Sequence, residues 1–123
     1  MRKRKLLLVD DDDTVLVYLT AKLSRHFHVV ATLDPYRALA LARSQHPDLI
    51  LCDFDMPGMN GPEVAAALEA DAETARIPLL YLTSLVSEEG MRQLDGQVRG
   101  RPAMSKSTEV AGLLARITEL AAA

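Results

Sequence analysis

Residues 47–61 read PDLILCDFDMPGMNG, and they contain the strand and the turn from which the rest of the fold can be worked out. The four residues Leu49–Cys52 are all apolar, which is typical of a strand buried on both faces of a parallel sheet. Asp53 ends this run, and Pro57–Gly61 has the composition of a turn. The stretch therefore predicts a buried strand that carries a carboxylate directly at its carboxyl end.

Comparable apolar runs recur on both sides of this stretch, and each is short enough to be one strand. Four further strands are predicted, over Leu6–Val9, Phe27–Ala31, Ile77–Leu82 and a run within Val98–Met104. The last run is the poorest by propensity because it contains Gly100 and Pro102. The chain therefore predicts five strands, of which the one that ends at Asp53 is the third.

Segments with helical spacing of apolar residues separate the predicted strands. The helices are expected to begin near Thr14, Pro35, Gly61, Ser87 and Val110. Asp12 or Asp13 can cap the first helix, and Asp34 followed by a proline opens the second. Gly90 lies inside the fourth helix and makes it the weakest. Strands and helices thus alternate along the chain.

This alternation predicts an α/β fold with a doubly wound parallel sheet, right-handed crossovers and helices on both faces. At 123 residues, the chain fits one compact domain over residues 1–123, because single cores commonly extend to about 100–150 residues. In such a sheet the binding crevice lies outside the carboxyl ends of the strands. Functional residues are therefore expected at that edge.

The composition is that of an ordinary globular protein, with 49% apolar residues, 25% charged residues and a formal charge of −3. The basic start, Arg2–Lys5, is followed by too few apolar residues for a signal peptide, and no apolar stretch is long enough for a membrane span. Four charges without interleaved aromatic residues make a weak nucleic-acid footprint. We therefore expect no direct contact with nucleic acid or membrane.

The single cysteine, Cys52, cannot form an internal disulfide. It lies in the apolar run before Asp53, so we expect a small buried residue rather than a reactive thiol. A free thiol fits a reducing compartment, and the predicted location of the chain is cytoplasmic.

Five polar residues are expected to meet at the carboxyl edge of the sheet, each at or just past the end of a predicted strand. They are Asp10, Asp11, Asp53, Thr83 and Lys106. Two carboxylates about 4 Å apart repel each other by roughly 4 kcal/mol at an effective dielectric constant near 20. A protein that holds three carboxylates together usually binds a divalent cation between them. Oxygen ligands favour Mg²⁺, Mn²⁺ or Ca²⁺.

The same residues lie in motifs that resemble those of response-regulator receiver domains. The motifs occur in the family's order and are Leu8–Asp11, Pro47–Asp53, Met56–Gly61, Leu82–Ser84 and Lys106. They span essentially the whole chain, with 30 residues from Asp53 to Thr83 and 23 from Thr83 to Lys106. The resemblance implies a flavodoxin-like (βα)5 fold with strand order 2-1-3-4-5 and a role in two-component phosphorelay signalling.

The resemblance also implies a role for each acidic residue of the site. Asp53 would accept a phosphoryl group from a phosphohistidine on a histidine kinase or a histidine phosphotransfer protein. Asp11 and Asp53 would coordinate Mg²⁺ directly, with Mn²⁺ as an alternative, and Asp10 would act through the waters of the metal. The main-chain carbonyl of Asp55 would complete the ligand set.

Thr83 and Lys106, by the same resemblance, would contact the transferred phosphoryl group, where catalysis is mainly a matter of positioning and charge. Such a protein is not an enzyme that acts on a separate substrate. It catalyses its own phosphotransfer and autodephosphorylation, and a downstream protein target or a fused output domain responds to its state.

The chain departs from the family pattern at the positions that usually transmit the signal after phosphorylation. Lys106 is followed by Ser107, where the family has a proline in a cis peptide bond, so a trans bond is expected. Ser107 is then available to cap the last helix. Ala103 lies three residues before the lysine, where a switching aromatic residue is usual. We therefore expect activation to reorganise residues 55–61 and 84–92 more than the fifth predicted strand.

Two other interpretations remain open from the sequence. One is a receiver-like docking module that has lost phosphotransfer, which Ala103 and Ser107 leave open although all five chemical residues are present. The other is a phosphatase of the haloacid-dehalogenase type, because Asp53–Asp55 resembles its Asp-x-Asp nucleophile motif. In those enzymes the motif lies near the start of the chain, whereas here the acidic pair at residues 10–11 comes first and only 70 residues follow Asp53.

Overall fold

The computed structural model describes residues 3–121, which form one sheet with helices on both of its faces. The six strands are β1 (Lys5–Val9), β2 (His28–Thr32), β3 (Leu49–Asp53), β4 (Leu79–Thr83), β5 (Gln97–Val98) and β6 (Arg101–Ser105). The five helices are α1 (Asp13–Leu23), α2 (Ala38–Gln45), α3 (Gly61–Glu69), α4 (Glu88–Gln93) and α5 (Val110–Ala121). A short 3₁₀ turn, Pro35–Arg37, precedes α2. Every predicted element is present, and β5 is additional.

Five of the strands are parallel and follow the order β2-β1-β3-β4-β6. Because β6 is the fifth of these strands along the chain, the predicted order 2-1-3-4-5 and the flavodoxin-like α/β fold are confirmed. Strands β1 and β3 are central neighbours, with Leu8 opposite Leu51. Their carboxyl ends bring Asp10 and Asp53 to the same edge of the sheet.

The strand β5 corrects the prediction of five strands. A single strand is predicted within Val98–Met104, but the chain forms a tight hairpin there, with Val98 opposite Arg101. Arg99 and Gly100 form its turn, with φ angles of 52° and 75°. Two successive residues with positive φ are typical of turns whose twist matches that of antiparallel strands. Gly100 therefore permits a turn, where the sequence alone indicated a weakened strand.

The hydrophobic core has two halves, one on each face of the sheet. On one face α2, α3 and α4 cover residues such as Leu7 and Ile50, and on the other α1 and α5 cover Leu6 and Leu51. Neighbouring residues of one strand thus enter opposite halves of the core. This explains why β1 and β3 are apolar without alternation, since both of their faces are buried.

Side-chain caps fix where the first two helical segments begin. The Asp12 carboxylate accepts a hydrogen bond from the backbone N–H of Thr14 at 2.9 Å, which decides between the two predicted caps of α1. Asp34 accepts from the backbone N–H of Tyr36 in the same way, at the start of the 3₁₀ turn. Among the helices of residues 3–121, none has the length and apolar character needed to span a membrane.

Ser107 does not cap the last helix, contrary to the prediction. The helix α5 begins at Val110, and the hydroxyl of Ser107 lies 2.7 Å from that of Ser105. The backbone N–H of Ser107 also donates to the Ser105 hydroxyl, so a local turn takes up the side chain that was expected at the helix start. The bond between Lys106 and Ser107 is trans as predicted, since the described chain contains no cis peptide bond.

The start of α3 packs directly against the end of β3. The backbone N–H of Gly61 donates to the carbonyl of Phe54 at 2.9 Å. A Cβ at position 61 would lie 2.7 Å from the carbonyl oxygen of Asp53 and 2.9 Å from the Cα of Phe54. Asn60 caps α3 and forms a capping box with Glu63, with hydrogen bonds of 2.9 and 3.0 Å. The position of Asp53 thus depends on a glycine and a cap in the next helix.

We expect Gly61→Ala to lower the free energy of unfolding by about 1–3 kcal/mol, because the added Cβ overlaps backbone atoms at the end of β3. Gly112→Ala in α5 is the matched control. Its Cβ would meet the Thr108 methyl carbon at 3.2 Å, and alanine favours a helix over glycine by about 0.5–1 kcal/mol. Urea unfolding measures both variants. An equal loss of stability in the two would contradict the proposed overlap.

Candidate functional site

Three carboxylates meet at the carboxyl edge of the sheet. Asp10 and Asp11 follow β1, Asp53 ends β3, and one carboxylate oxygen from each lies within 4.8 Å of the others. Asp10 and Asp53 are buried, with 3% and 6% of their surface exposed, whereas Asp11 is exposed. The predicted convergence of these residues is confirmed. Their oxygen-only donor set suits a hard divalent cation such as Mg²⁺.

The ammonium of Lys106 lies between the two buried carboxylates. Its Nζ is 2.8 Å from Oδ2 of Asp10 and 3.2 Å from Oδ1 of Asp53. The backbone N–H of Lys106 donates to the carbonyl of Thr83 at 2.8 Å, which fixes the lysine at the end of β4. Pairing of this kind offsets the cost of burying the carboxylates, which would be several kcal/mol for an isolated ion.

The two buried carboxylates differ in their remaining partners. Oδ1 of Asp10 accepts from the backbone N–H of Asp12 at 2.9 Å, so both oxygens of Asp10 are engaged. Asp53 forms an ion pair with the Lys106 ammonium. Its Oδ1 also accepts a longer hydrogen bond, of 3.4 Å, from the backbone N–H of Asp55. Within residues 3–121, the carboxylate of Asp11 makes no ion pair or hydrogen bond. Asp11 and Asp53 therefore keep more free lone pairs than Asp10 does.

The charges in the cluster shift the pKa values of its members. Burial raises the pKa of Asp53 to about 6, and the charge of Asp10 adds to this effect, while Lys106 and the amide of Asp55 oppose it. Burial lowers the pKa of Lys106, but the hydrogen bond and charge of Asp10, followed by the charge of Asp53, outweigh burial and raise it. Near neutral pH the site carries an excess of negative charge.

Thr83 and Asp55 lie near Asp53, Thr83 at the end of β4 and Asp55 two residues past the end of β3. Thr83 ends β4, is buried, and accepts a hydrogen bond from the backbone N–H of Leu85 at 3.0 Å. In the register of the two strands Asp53 lies opposite Leu82, so Thr83 is one residue further along the neighbouring strand. The side chain of Asp55 is exposed. All five predicted chemical residues thus lie at one edge of the sheet.

Cys52 borders the site without taking part in it. Its side chain is fully buried, and burial, together with the charges of Asp53 and Asp10, raises the pKa of the thiol to about 12. The thiol is therefore protonated at neutral pH and a poor nucleophile. The prediction of a small buried residue is confirmed.

Two features next to the site were not predicted. No cap is predicted for α3 from the sequence, although Asn60 followed three residues later by Glu63 is a recognisable capping-box pattern. Phe54, which follows Asp53, packs edge-to-face on Tyr81, with ring centroids 5.2 Å apart and ring planes at 88°. No sequence signal indicates this contact, because Phe54 follows β3 and Tyr81 lies on β4, so the two rings are far apart in the chain.

Comparison with known proteins identifies the family. Residues 6–118 match the profile of the response regulator receiver domain. The chain belongs to this family. It is a receiver domain of two-component signalling, and domains of this kind bind Mg²⁺ at an acidic pocket and interact with histidine kinases or phosphotransfer proteins.

Named relatives agree with this assignment. The receiver domain is 41% identical over 81 residues to protein PilH of Pseudomonas aeruginosa, a match that covers 65% of this chain and 67% of PilH. It is 40% identical over 82 residues to the response regulator PleD of Caulobacter vibrioides, which covers 66% of this chain but only 18% of PleD. The resemblance to PleD therefore concerns the receiver domain and not the whole protein.

Solved structures show the same fold. The chemotaxis protein CheY4 of Vibrio cholerae superposes with a TM-score of 0.80 at 27% identity, covering 96% of this chain and 98% of CheY4. The receiver domain of the sensor histidine kinase PA1611 from Pseudomonas aeruginosa superposes with a TM-score of 0.81 at 23% identity, covering 98% and 99% of the two chains. That structure contains a magnesium ion coordinated in its active site cleft.

Proposed function

We propose that Asp53 is the phosphoacceptor of this receiver domain. The observation that carries the proposal is the position of Asp53, a buried carboxylate at the end of the central strand, 3.2 Å from the Lys106 ammonium and beside two further carboxylates. A carboxylate oxygen of Asp53 would attack the phosphorus of a phosphohistidine on a histidine kinase or phosphotransfer protein. A P–O bond forms, the P–N bond breaks, and the departing imidazole takes up a proton.

The metal of the site is proposed to be Mg²⁺, with Mn²⁺ as an alternative. Asp11 and Asp53 would be direct ligands because their oxygens are the less engaged, while Asp10 would act through water and Asp55 through its main-chain carbonyl. A bound cation would supply positive charge opposite the transferring phosphoryl oxygens. The magnesium in the similar PA1611 receiver domain supports this choice.

Lys106 and Thr83 complete the proposed machinery. The Lys106 ammonium already lies within 3.2 Å of the acceptor carboxylate, so a phosphoryl group on Asp53 would gain a charged partner without a long movement of the lysine. The Thr83 hydroxyl would donate to a phosphoryl oxygen, because a hydroxyl can turn its proton toward a new acceptor. Both residues act on the domain's own phosphoryl group, so we propose self-catalysed transfer and autodephosphorylation in place of turnover of a separate substrate.

A cytoplasmic location completes the proposal, and the free buried thiol of Cys52 is in keeping with it. The downstream partner would be a protein target or a fused output domain. The rival docking-module function would need the same fold but no acyl phosphate, so phosphorylation itself separates the two.

Incubation with acetyl phosphate or phosphoramidate and Mg²⁺ is expected to add one labile phosphoryl group, which intact mass spectrometry detects. Asp53→Asn should abolish the addition because the amide nitrogen and oxygen are poor nucleophiles. Asp55→Asn is the matched control, an exposed aspartate two residues away that should still allow labelling. Labelling that persists in Asp53→Asn would show that the acceptor is wrong, and its absence from the parent chain would favour the docking module.

Metal binding is expected to depend on Asp11 more than on its exposed neighbours. Asp11→Asn should weaken Mg²⁺ binding by at least about tenfold, because it removes a unit charge from the ligand set. Asp12→Asn removes the same charge nearby but keeps an N-cap side chain for α1, and should leave the affinity within about threefold. Calorimetric titration compares them. Equal affinity in the parent chain and Asp11→Asn would exclude Asp11 as a ligand.

We propose that this receiver domain transmits its phosphorylation state by a change in the conformation of its loops. Ala103 is buried on β6 opposite Tyr81 and has no ring to move between two positions. Thr83 accepts a hydrogen bond from the N–H of Leu85, so a movement of its side chain toward a phosphoryl group would weaken that bond. The next helix, α4, has six residues and contains Gly90, so few local interactions oppose its rearrangement.

Amide chemical shifts with and without a beryllofluoride mimic of the phosphoryl group test this route. The largest changes are expected in residues 55–61 and 84–92, because both segments bond directly to Asp53 or Thr83. Changes in β6 should be smaller. Larger shifts at Ala103 and along α5 would contradict the loop route.

A further inference from the structure

A polar cavity lies between α3 and the β5–β6 hairpin. Its volume is about 220 Å³, and no residue of the acidic cluster lines it. Small residues of α3, Ala65 and Ala66, form one side, while the polar side chains that line it are Glu69, Tyr81, Arg99 and Arg101. Nothing in the proposed phosphotransfer uses these four side chains.

The hydroxyl of Tyr81 opens into this cavity. Tyr81 is only 1% exposed, yet no hydrogen bond of its phenolic oxygen is found among residues 3–121. The described residues also contain no fully enclosed side-chain oxygen or nitrogen without a partner, so this hydroxyl reaches the cavity and not the closed core. Burial raises the pKa of Tyr81, with the charges of Arg101 and Arg99 in opposition. The phenol is therefore a proton donor at neutral pH.

Two guanidinium groups line the same cavity. Arg101 forms an ion pair with Glu69. Arg99 has no ion pair among residues 3–121, and it occupies the first turn position of the hairpin with a φ of 52°. That backbone conformation favours glycine or asparagine, so a long charged residue is unexpected on conformational grounds alone. The hairpin thus presents an unpaired guanidinium beside an unpaired phenol.

We propose that this cavity binds a phosphate-class oxyanion, either free phosphate or a small phosphomonoester, through Arg99, Arg101 and the Tyr81 hydroxyl. The planar fork of a guanidinium matches two phosphate oxygens, and the phenol supplies a third donor. The volume is below the range of about 300–1,000 Å³ for pockets that enclose drug-sized ligands, which favours a compact anion. Two guanidinium groups exclude a metal cation, and Glu69 competes with the anion for Arg101.

Titration of the ¹⁵N-labelled protein with inorganic phosphate tests the site. EDTA keeps the acidic cluster free of metal, and sodium chloride holds the ionic strength constant. Saturable shifts are expected at the Arg99 and Arg101 Nε–H groups and at the amides of residues 98–101. Arg99→Gln should weaken binding at least about tenfold, and Arg25→Gln, which removes an exposed arginine outside the cavity, should leave it within about twofold.

Two further variants separate binding from a structural role. Tyr81→Phe should weaken phosphate binding about threefold while leaving the free energy of unfolding unchanged or higher, because the lost hydroxyl has no hydrogen-bond partner among residues 3–121. Glu69→Gln should tighten binding, since it releases Arg101 from its ion pair. A Glu69→Gln variant that binds phosphate more weakly would overturn the assignment.

A second titrant, O-phosphoserine, distinguishes a site for phosphomonoesters from a site for free phosphate. Competition between O-phosphoserine and phosphate would identify a site for monoesters, and binding of phosphate alone would identify a site for the free ion. Shifts that sodium chloride reproduces, or an equal loss of affinity in Arg25→Gln and Arg99→Gln, would overturn the proposal. Because the titration contains no metal and no phosphoryl donor, its outcome is independent of the role proposed for Asp53.

Discussion

The contact of one ammonium with two buried carboxylates is the constraint on which the architecture depends. Lys106 and Asp10 are separated by 96 residues in the chain, yet their charged atoms lie 2.8 Å apart. This is achieved only when β1, β3 and β6 are parallel and end at the same edge. Antiparallel placement of any one of them would leave a buried charge without its partner, at a cost of about 3–5 kcal/mol. Fold and site are therefore specified by the same strand ends.

The sequence predicts the parts of this arrangement that follow from local pattern. Apolar runs ended by Asp10 and Asp53 indicate buried parallel strands, and the placement of the carboxylates follows from the sheet. The partner of Asp10 could not be predicted, because a side-chain contact across 96 residues depends on final distances and not on spacing. The roles of Asp53, Thr83 and Lys106 came from resemblance, and the structure supplies the geometry in which those roles can be tested.

The unpredicted elements share a physical cause, which is that they are shorter than any periodic signal. The strand β5 has two residues, too few for alternation to be visible. Ser107 is predicted to cap α5 because serine favours that position, but its hydroxyl bonds that of Ser105 instead. In both places a turn of a few residues determines the structure, and competing local hydrogen bonds decide which turn forms.

The two sites of the domain meet at one aromatic contact. Phe54 follows the proposed acceptor, and its ring packs on Tyr81, whose hydroxyl opens into the arginine-lined cavity. The pair is well packed, as the perpendicular rings and the near-complete burial of Tyr81 show. The acidic edge and the basic cavity are thus separated by little more than two rings, although their charges are of opposite sign.

The short hairpin also decides how the sheet can associate with other chains. An open edge strand exposes unpaired backbone groups to which a foreign strand can add. On the β5 side this edge has two residues, and the left-handed backbone of Gly96 and Arg99 turns away at both ends. The opposite edge, β2, offers five residues in regular extension. Strand addition onto β5 is therefore limited to two residues, whereas within the described chain β2 presents a five-residue edge.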